Sequence, residues 1–225
     1  MLVVLEGLDG AGKSTQVKKF KAYLEQRCPD LEYIHFPRYD APVYGPLISR
    51  FLRGDFGELD KVHPQLVALL FAEDRHGAAA AIRGTLARGG TVLLDRYVYS
   101  NIAYQCAKLS SEQEAEDLRK WIFDTEYGDF SLPRPDLNIF LDVPIGFVEK
   151  NLSESREGDD NRSYLAGASD IHEADISFQM RVREMYLRQT RLDSSFVRVD
   201  CSDAQGGMLP SDEIFKKIRA VYEKG

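Results

Sequence analysis

A glycine-rich stretch near the start of the chain, GLDGAGKST (residues 7–15), has the residue types and spacing that bind phosphate. It fits the pattern G-x-x-x-x-G-K-[ST], in which glycines let successive backbone N–H groups point at phosphate oxygens. Lys13 can reach the β- and γ-phosphates of a nucleoside triphosphate, and the Ser14 hydroxyl can ligate Mg²⁺. The residues of this predicted site are Gly7, Leu8, Asp9, Gly10, Ala11, Gly12, Lys13, Ser14 and Thr15.

A second stretch, TVLLDRY, is an apolar run that ends in Asp95 and continues with Arg96. Many buried strands end in an aspartate at a turn, but this carboxylate also resembles the one that completes the Mg²⁺ site of P-loop proteins. Arg96 would lie at the C-terminal edge of a parallel sheet, where ligands bind in such folds. Together with the glycine-rich stretch, this predicts a Mg²⁺ site that includes Ser14 and Asp95.

LLFAEDR (69–75) places Phe71 and Arg75 four residues apart on one face of a helix. An aromatic ring can stack on a flat base, and a guanidinium one turn away can donate to its ring atoms. Each residue also has an ordinary structural interpretation. Phe71 could be a core residue, and Arg75 could form a surface ion pair near Glu73 and Asp74.

FPRY follows the second predicted strand, so that Arg38 also lies at the C-terminal edge of the sheet. SNIAYQ follows Arg96 closely and offers Asn101 and Tyr104 as polar readers of a base or sugar, although Asn101 could instead cap a helix. These residues occur together and in order around one sheet edge. Their joint occurrence is what indicates a nucleotide site.

The elements that must position these residues alternate along the chain, with short apolar runs between longer amphipathic stretches. This pattern is typical of a parallel sheet with crossover helices. Two capping boxes predict helix starts, Ser110 with Gln113 and Asp170 with Glu173. The predicted strands are residues 2–6, 31–36, 91–95, 137–143 and 196–200.

Composition excludes several classes of protein. A net charge of -7 and a pI of about 5.2 argue against a nucleic-acid partner, because duplex binding requires a basic face. The three cysteines show no CxxC spacing, which disfavours a disulfide framework or zinc site and indicates a cytoplasmic protein. We expect no signal peptide and no membrane span. We expect one domain over residues 1–225.

Taken together, GLDGAGKST, FPRY, LLFAEDR, DRYVYSNIAYQ, LPRPDLNIFLDV and DIHEAD resemble the motifs of the thymidylate kinase family, over nearly the whole chain. The resemblance implies a three-layer α/β P-loop kinase fold, with a five-stranded parallel sheet flanked by helices and a mobile lid at residues 150–172. It also implies a homodimer. The implied reaction transfers the γ-phosphoryl group of ATP to dTMP in dTTP biosynthesis, giving dTDP and ADP, with Mg²⁺ as cofactor.

The resemblance also assigns roles at the matched positions. It implies that Phe71 stacks on thymine, that Arg75 and Asn101 hydrogen-bond the edge of the base, and that Arg38 and Arg96 clamp the dTMP phosphate. The implied substrate-binding residues are Asp9, Pro37, Arg38, Tyr39, Phe71, Arg75, Arg96, Ser100, Asn101 and Tyr104.

Further roles are implied for the sugar, the metal and the adenine. Asp9 would approach the sugar 3′-hydroxyl and help Ser14 and Asp95 to hold Mg²⁺. Tyr104 would crowd the 2′ position, so that a ribose is disfavoured. Residues 199–202 resemble the segment under the adenine of ATP. The residues of that segment predicted to contact ATP are Cys201 and Ser202.

Some family members carry an arginine where this chain has Gly10, and in the others the lid supplies the catalytic arginines. The lid candidates here are Arg156 and Arg162. Glu173 matches an acidic residue near the metal, or it serves as the capping-box partner of Asp170. The predicted catalytic residues are Lys13, Arg96, Asp9, Arg156 and Arg162.

Two alternative functions stay open. A deoxynucleoside kinase needs a carboxylate base near a neutral 5′-hydroxyl, and Glu6 lies close in the sequence to the glycine-rich stretch. The cation Arg38 instead favours an acceptor that already carries a phosphate. The other alternative is a non-catalytic P-loop nucleotide-binding regulator, although the chain contains no NKxD-type motif for guanine.

Overall fold

In the computed structural model, the described residues are 1–59, 61–154, 163–165, 170–173 and 175–224. The strands are β1 (Leu2–Gly7), β2 (Leu31–His35), β3 (Thr91–Asp95), β4 (Leu137–Asp142) and β5 (Phe196–Asp200). The α-helices are α1 (Lys13–Glu25), α2 (Tyr44–Leu52), α3 (Pro64–Ala87), α4 (Val98–Cys106), α5 (Glu112–Phe123), α6 (Ile145–Ser153), α7 (Ile176–Leu192) and α8 (Ser211–Tyr222). All the predicted strands are confirmed, with ends that agree within one residue.

The five strands form one parallel sheet in the order β2-β3-β1-β4-β5. The three inner strands are buried along their whole length, which explains their nearly continuous apolar sequences. The edge strands β2 and β5 are only partly buried. Because β1 and β3 are neighbours in register, with Leu5 opposite Asp95, the loops after both strands meet at one edge of the sheet.

Helices flank the sheet. Most of them bury one stripe of side chains, whereas α4 is buried along its whole length. In α1 the buried stripe is Val17, Phe20 and Leu24, as their helical spacing predicts. A smaller apolar cluster lies apart from the main core, formed by α2 and by Val67 of α3. No helix in the described part of the chain combines the length and apolar character needed to cross a membrane.

The predicted start of α5 is wrong by one residue. Ser111, not Ser110, caps the helix, and its Oγ accepts a hydrogen bond from the Glu114 backbone N–H at 3.3 Å. Both serines are followed three positions later by a residue that completes a capping box, Gln113 or Glu114. Local sequence therefore leaves two registers, and packing of the helix selects the second.

The predicted start of α7 at Asp170 and Glu173 is also wrong. The helix begins at Ile176, and Asp175 caps it by accepting from the Ser177 backbone N–H at 2.8 Å. Asp175 lies directly before the apolar stripe of the helix, which is the position an N-cap residue occupies. Asp170 and Glu173 instead belong to the turn before the helix, and both line the cavity described next.

Candidate active site

A cavity of about 760 Å³ opens where the loops after β1 and β3 meet. Its walls are the glycine-rich loop, the ends of β2 and β3, parts of α3 and α4, and the turn that contains Asp170. The volume suits a small-molecule site. The predicted site residues that line it are Leu8, Asp9, Gly10, Ala11, Gly12, Lys13, Ser14, Pro37, Tyr39, Phe71, Arg75, Asp95, Arg96, Ser100, Asn101 and Tyr104.

The glycine-rich loop is shaped by backbone conformations that side chains resist. Gly10 (φ 74°) and Gly12 (φ 69°) both lie in the left-handed region, where glycine carries no Cβ penalty. Asn151 of α6, which also lines the cavity, holds the loop in place, because its Nδ2 donates to the Gly10 carbonyl at 2.7 Å. Since Gly12 has no side chain to cap α1, the first N–H groups of the helix are left to bind an anion.

Lys13 and Asp95 form a buried ion pair at the glycine-loop end of the cavity. On the other side of the carboxylate, His35 Nδ1 lies 3.0 Å from Asp95 Oδ2. Burial alone would raise the pKa of Asp95, but the charge of Lys13 and the His35 hydrogen bond hold that pKa well below its usual range. Asp95 is therefore ionised at neutral pH, so its carboxylate oxygens can ligate a metal ion.

Arg96, Asp9 and Tyr104 form a second charged cluster at the same end. Arg96 Nη2 donates to Asp9 Oδ1 at 2.6 Å, and the Tyr104 hydroxyl donates to Asp9 Oδ2 at 2.8 Å. Burial would raise the pKa of Asp9, but the charge of Arg96 and the hydrogen bonds from Tyr104 and Gln179 act together with other nearby charge to lower it. Arg96 has a left-handed backbone (φ 68°), which is uncommon for a residue with a side chain and often marks a functional site.

Glu6 lies beneath Arg96 and is fully buried. Its carboxylate accepts hydrogen bonds from Ser100 Oγ at 2.5 Å, from the Tyr186 hydroxyl at 3.0 Å and from the Tyr97 backbone N–H at 2.9 Å. Burial raises its pKa in spite of these donors. Glu6 is not among the residues that line the cavity, so it is in no position to act as a base on a bound hydroxyl.

The opposite end of the cavity is built around Glu126. Arg75 binds its carboxylate with two hydrogen bonds, at 2.5 and 2.7 Å, and the two residues are 2% and 0% exposed. Asn101 Nδ2 donates to the same carboxylate at 2.8 Å and to the Ala68 carbonyl at 2.9 Å. The surface ion pair considered for Arg75 is therefore wrong, and Asn101 lies inside α4 and does not cap it.

Sequence reasoning missed Glu126. It lies in a π-helical segment, Asp124–Asp129, that continues α5. The available signal was its position in the aromatic-rich stretch WIFDTEYGDF, because a carboxylate buried among aromatic rings requires a charged or hydrogen-bonded partner. The sequence does not indicate which of the acidic residues in this stretch turns inward.

The sequence left two interpretations of Phe71 open, a core residue or a ring that stacks on a base, and its position is compatible with both. It is half-buried and packs edge-on against Phe51, with ring centroids 6.3 Å apart, so it belongs to the smaller apolar cluster. It also lines the cavity. Tyr39 and Tyr164, which pack against the same cluster and also line the cavity, stack on each other with ring centroids 3.9 Å apart.

Arg38 lies outside the cavity wall, bound to Asp74 of α3. Its backbone N–H and its Nε each donate to the Asp74 carboxylate at 2.9 Å, and Nη2 donates to the Asp74 carbonyl at 2.5 Å. Asp74 is only 1% exposed, so the guanidinium provides its countercharge. The structure therefore does not bring Arg38 and Arg96 together.

Other predicted residues also lie away from the cavity or cannot be placed. Gly7 and Thr15 flank the glycine-rich loop without lining the cavity, and neither Cys201 nor Ser202 lines it. Cys201 is fully buried, and its thiol donates to the Val199 carbonyl at 3.3 Å, so its side chain has no surface for a ligand. The predicted lid arginines, Arg156 and Arg162, lie outside the described residues.

The fold is that of a P-loop kinase. It combines a parallel sheet with a glycine-rich loop after β1, with Lys13 at the start of α1 and with Asp95 at the end of β3. The family model for thymidylate kinase matches residues 5–206. The chain belongs to the thymidylate kinase family.

Similar proteins come from distant organisms. The thymidylate kinase of Mycobacterium tuberculosis is 33% identical over 186 residues, which cover 83% of this chain and 84% of that protein. The probable thymidylate kinase of Thermococcus gammatolerans is 31% identical over 229 residues, covering 100% and 96%. The structure of thymidylate kinase from Candida albicans matches with a TM-score of 0.71 at 27% identity, covering 99% of this chain and 91% of that chain.

Proposed function

We propose that this protein transfers the γ-phosphoryl group of ATP to dTMP, giving ADP and dTDP. Family membership over most of the chain supports this reaction. The single observation that carries it is one continuous cavity, with Lys13 and Arg96 at the glycine-loop end and Arg75 and Asn101 at the Glu126 end. A donor phosphate chain and a nucleotide acceptor need such an arrangement.

The reaction needs alignment and charge neutralisation more than proton transfer. The second pKa of a phosphate monoester is about 6, so the attacking oxygen of dTMP is already anionic at neutral pH. In the proposed mechanism the loop N–H groups and Lys13 hold the ATP phosphates, and Arg96 turns from Asp9 to the acceptor phosphate. These groups stabilise charge on the transferring phosphoryl group.

The oxygen donors in the cavity fit Mg²⁺, which is commonly held by one or two carboxylates together with substrate phosphates. Asp95, Ser14 and Asp9 would hold it, because all three line the glycine-loop end. When bound, Mg²⁺ supplies charge neutralisation at the phosphate oxygens. Arg96 and Lys13 would then bind the phosphate groups of the substrates together with the metal.

The Glu126 end suits a pyrimidine base. Glu126 engages Nε and Nη2 of Arg75, and it does not engage Nη1. Asn101 Oδ1 is a buried acceptor with no hydrogen-bond partner among the described residues, and a base N–H would satisfy it. We propose that Phe71 stacks on the thymine ring, that Tyr104 excludes a 2′-hydroxyl, and that Asp9 approaches the 3′-hydroxyl.

The remaining proposals rest on the sequence and on the family resemblance. We propose a homodimer in the cytoplasm, a single domain over residues 1–225, and a lid in which Arg156 or Arg162 reaches the transferring phosphoryl group. We place the adenine against residues 199–202. Because the Cys201 side chain is buried, that contact would come from the backbone or from Ser202.

The two alternative functions are not favoured. A deoxynucleoside kinase would need an accessible carboxylate base, and Glu6 is sealed beneath Arg96 by its own hydrogen bonds. A non-catalytic regulator would have no need for the paired charges of Lys13, Asp95, Asp9 and Arg96 around one cavity.

The test is the formation of ADP from ATP and Mg²⁺ with dTMP, dUMP, thymidine or no acceptor. We expect turnover with dTMP and none with thymidine, and a Lys13→Met protein serves as the inactive control. Turnover with thymidine alone would support the nucleoside kinase. ATP binding without turnover on any acceptor would support the regulator.

A further inference from the structure

His35 is a cavity residue to which the proposed reaction gives no role. It ends β2, and the β2–β3 register places it opposite Asp95. Its Nδ1 lies 3.0 Å from Asp95 Oδ2, while Lys13 occupies Oδ1 of the same carboxylate. An ionised carboxylate only accepts hydrogen bonds, so the His35 Nδ1 carries the proton and donates it.

A second side chain of β2 lies near the same carboxylate. Tyr33 is two positions before His35, on the same face of the strand. Burial, together with the nearby charge of Asp95, raises the pKa of its hydroxyl. Both residues line the cavity. The edge strand therefore contributes His35 as a hydrogen-bond partner of Asp95, at the carboxylate oxygen that Lys13 does not occupy.

Lys13 and His35 both donate a hydrogen bond to Asp95, but only Lys13 is also proposed to bind the ATP phosphates. Lys13 is the residue proposed to bind the ATP phosphates, and a lysine that turns to those phosphates weakens its contact with Asp95 Oδ1. The bond between His35 and Oδ2 does not depend on where Lys13 points. His35 can therefore keep the carboxylate oriented while Lys13 changes partner.

We propose that His35 is a positioning residue that holds Asp95 in the orientation needed to bind Mg²⁺ together with ATP. This inference rests on the proposed Mg²⁺ site. Groups that hydrogen-bond a metal-ligating side chain fix its geometry, and their loss typically costs about 10–100-fold in metal affinity or activity. His35 would act through Asp95 and would not contact the metal.

The experiment measures ATP affinity by calorimetry, once with Mg²⁺ and once with EDTA. The ratio of the two dissociation constants isolates the metal contribution and needs no catalysis. The His35 side chain is 43% exposed, so His35→Ala is expected to fold, and thermal unfolding checks this. His35→Asn keeps an N–H donor near the position of Nδ1.

The matched control is His76→Ala. His76 lies on α3, its side chain is 46% exposed, and its Nδ1 is 3.4 Å from the Glu73 carboxylate, but it does not line the cavity. We expect His35→Ala to lose about 10–100-fold of the Mg²⁺ enhancement and to keep its affinity in EDTA. His35→Asn should recover most of the loss, and His76→Ala should match the unsubstituted protein.

Two results would contradict the role of His35 and leave the proposed Mg²⁺ site intact. One is a His35→Ala protein with the full Mg²⁺ enhancement, and the other is an equal loss of affinity with Mg²⁺ and with EDTA. A third result would contradict the proposed Mg²⁺ site as well as the role of His35. If the unsubstituted protein binds ATP equally well with and without Mg²⁺, the proposed metal site is wrong, and the role of His35 is wrong with it.

Discussion

At the glycine-loop end of the cavity, Lys13 and Arg96 are each paired with a carboxylate that is itself proposed to bind ligand or metal. Lys13 holds Asp95, and Arg96 holds Asp9. At the Glu126 end, Arg75 is paired with a carboxylate for which no ligand role is proposed. The side chains of that pair are 3% and 0% exposed, compared with 13% and 22% for Arg96 and Asp9 and with 9% and 6% for Lys13 and Asp95.

This difference matches two tasks of a phosphoryl transfer enzyme. The four side chains of the glycine-loop pairs all line the cavity, whereas Glu126 does not. A phosphate in the cavity can therefore replace either carboxylate as the partner of Lys13 or Arg96, because both groups are anions. A pair buried without water cannot separate cheaply, so Arg75 stays where Glu126 holds it. We infer that the Glu126 end is a fixed template for the base and that the glycine-loop end rearranges around the phosphates.

The largest expected effect is that of Glu126→Ala, which leaves the buried Arg75 charge without its partner. Breaking such a pair costs about 3–5 kcal/mol in the free energy of unfolding, which urea denaturation measures. The control is Glu213→Ala on the surface of α8, where Glu213 pairs with Lys216 and the two side chains are 50% and 68% exposed. That change should cost about 1 kcal/mol or less. Equal losses of unfolding free energy in the two variants would contradict the proposed difference between the two ends of the cavity.

Arg96→Ala tests the glycine-loop end. Removing one group that stabilises developing charge typically lowers kcat by about 10²–10³-fold. We expect a loss of that size, with a smaller effect on the free energy of unfolding than that of Glu126→Ala. Arg88→Ala removes an exposed arginine paired with Asp30, away from the cavity, and should leave kcat unchanged. Similar kcat values for Arg96→Ala and Arg88→Ala would contradict the assignment.

Lys108 has a buried amino group for which the described residues provide no carboxylate partner, in contrast to the paired cations of the cavity. Lys108 Nζ sits 4.8 Å from the ring centroid of Phe51 and has no hydrogen-bond partner among the described residues. Burial lowers its pKa to about 7. Because the folded protein loses this proton before the unfolded chain does, the destabilisation is complete below pH 7 and shrinks as pH rises towards the unfolded pKa of about 10.4.

Lys108→Met should therefore stabilise the fold. We expect a gain of about 1–3 kcal/mol at pH 6, the size of one unsatisfied buried polar group, and a smaller gain at pH 9. Urea denaturation at both pH values measures it. Lys120→Met, at a side chain that is 60% exposed, is the control and should show little change at either pH. A gain that is independent of pH would contradict the pKa assigned to Lys108.

The smallest expected effect is that of Arg38→Ala. If the Arg38 guanidinium leaves Asp74 for the acceptor phosphate, its loss should raise KM for dTMP by about tenfold, the size of one charge-assisted hydrogen bond. KM for ATP should stay nearly constant. Steady-state kinetics with each substrate varied in turn measures both. Equal changes in the two KM values would show that Arg38 supports only the local structure around Asp74.

Much of the fold could be predicted because its signals are local. A strand buried on both faces must be apolar throughout, and this placed all five strands within one residue. The glycine-rich loop carries its conformation in its own residues, Gly10 and Gly12. The start of α5 could not be fixed, because Ser110 and Ser111 both satisfy the rule for a capping residue.

The site was predicted less completely, because its contacts join distant positions. Arg75 and Glu126 are 51 residues apart, and nothing near Arg75 identifies its partner. For Arg38 the competing partner, Asp74, lies on another element and becomes visible only in the folded chain. Residue types at a sheet edge therefore predict which side chains gather at a site, and tertiary packing decides which of them face the ligand.

The most direct test of this account is a crystal structure with dTMP, Mg²⁺ and a non-hydrolysable ATP analogue bound. We expect Lys13 and Arg96 to contact phosphate oxygens in place of Asp95 and Asp9, while Arg75 keeps both of its hydrogen bonds to Glu126. A structure in which Arg96 stays on Asp9 and the acceptor phosphate lies elsewhere would contradict the account. So would one in which the base displaces Arg75 from Glu126.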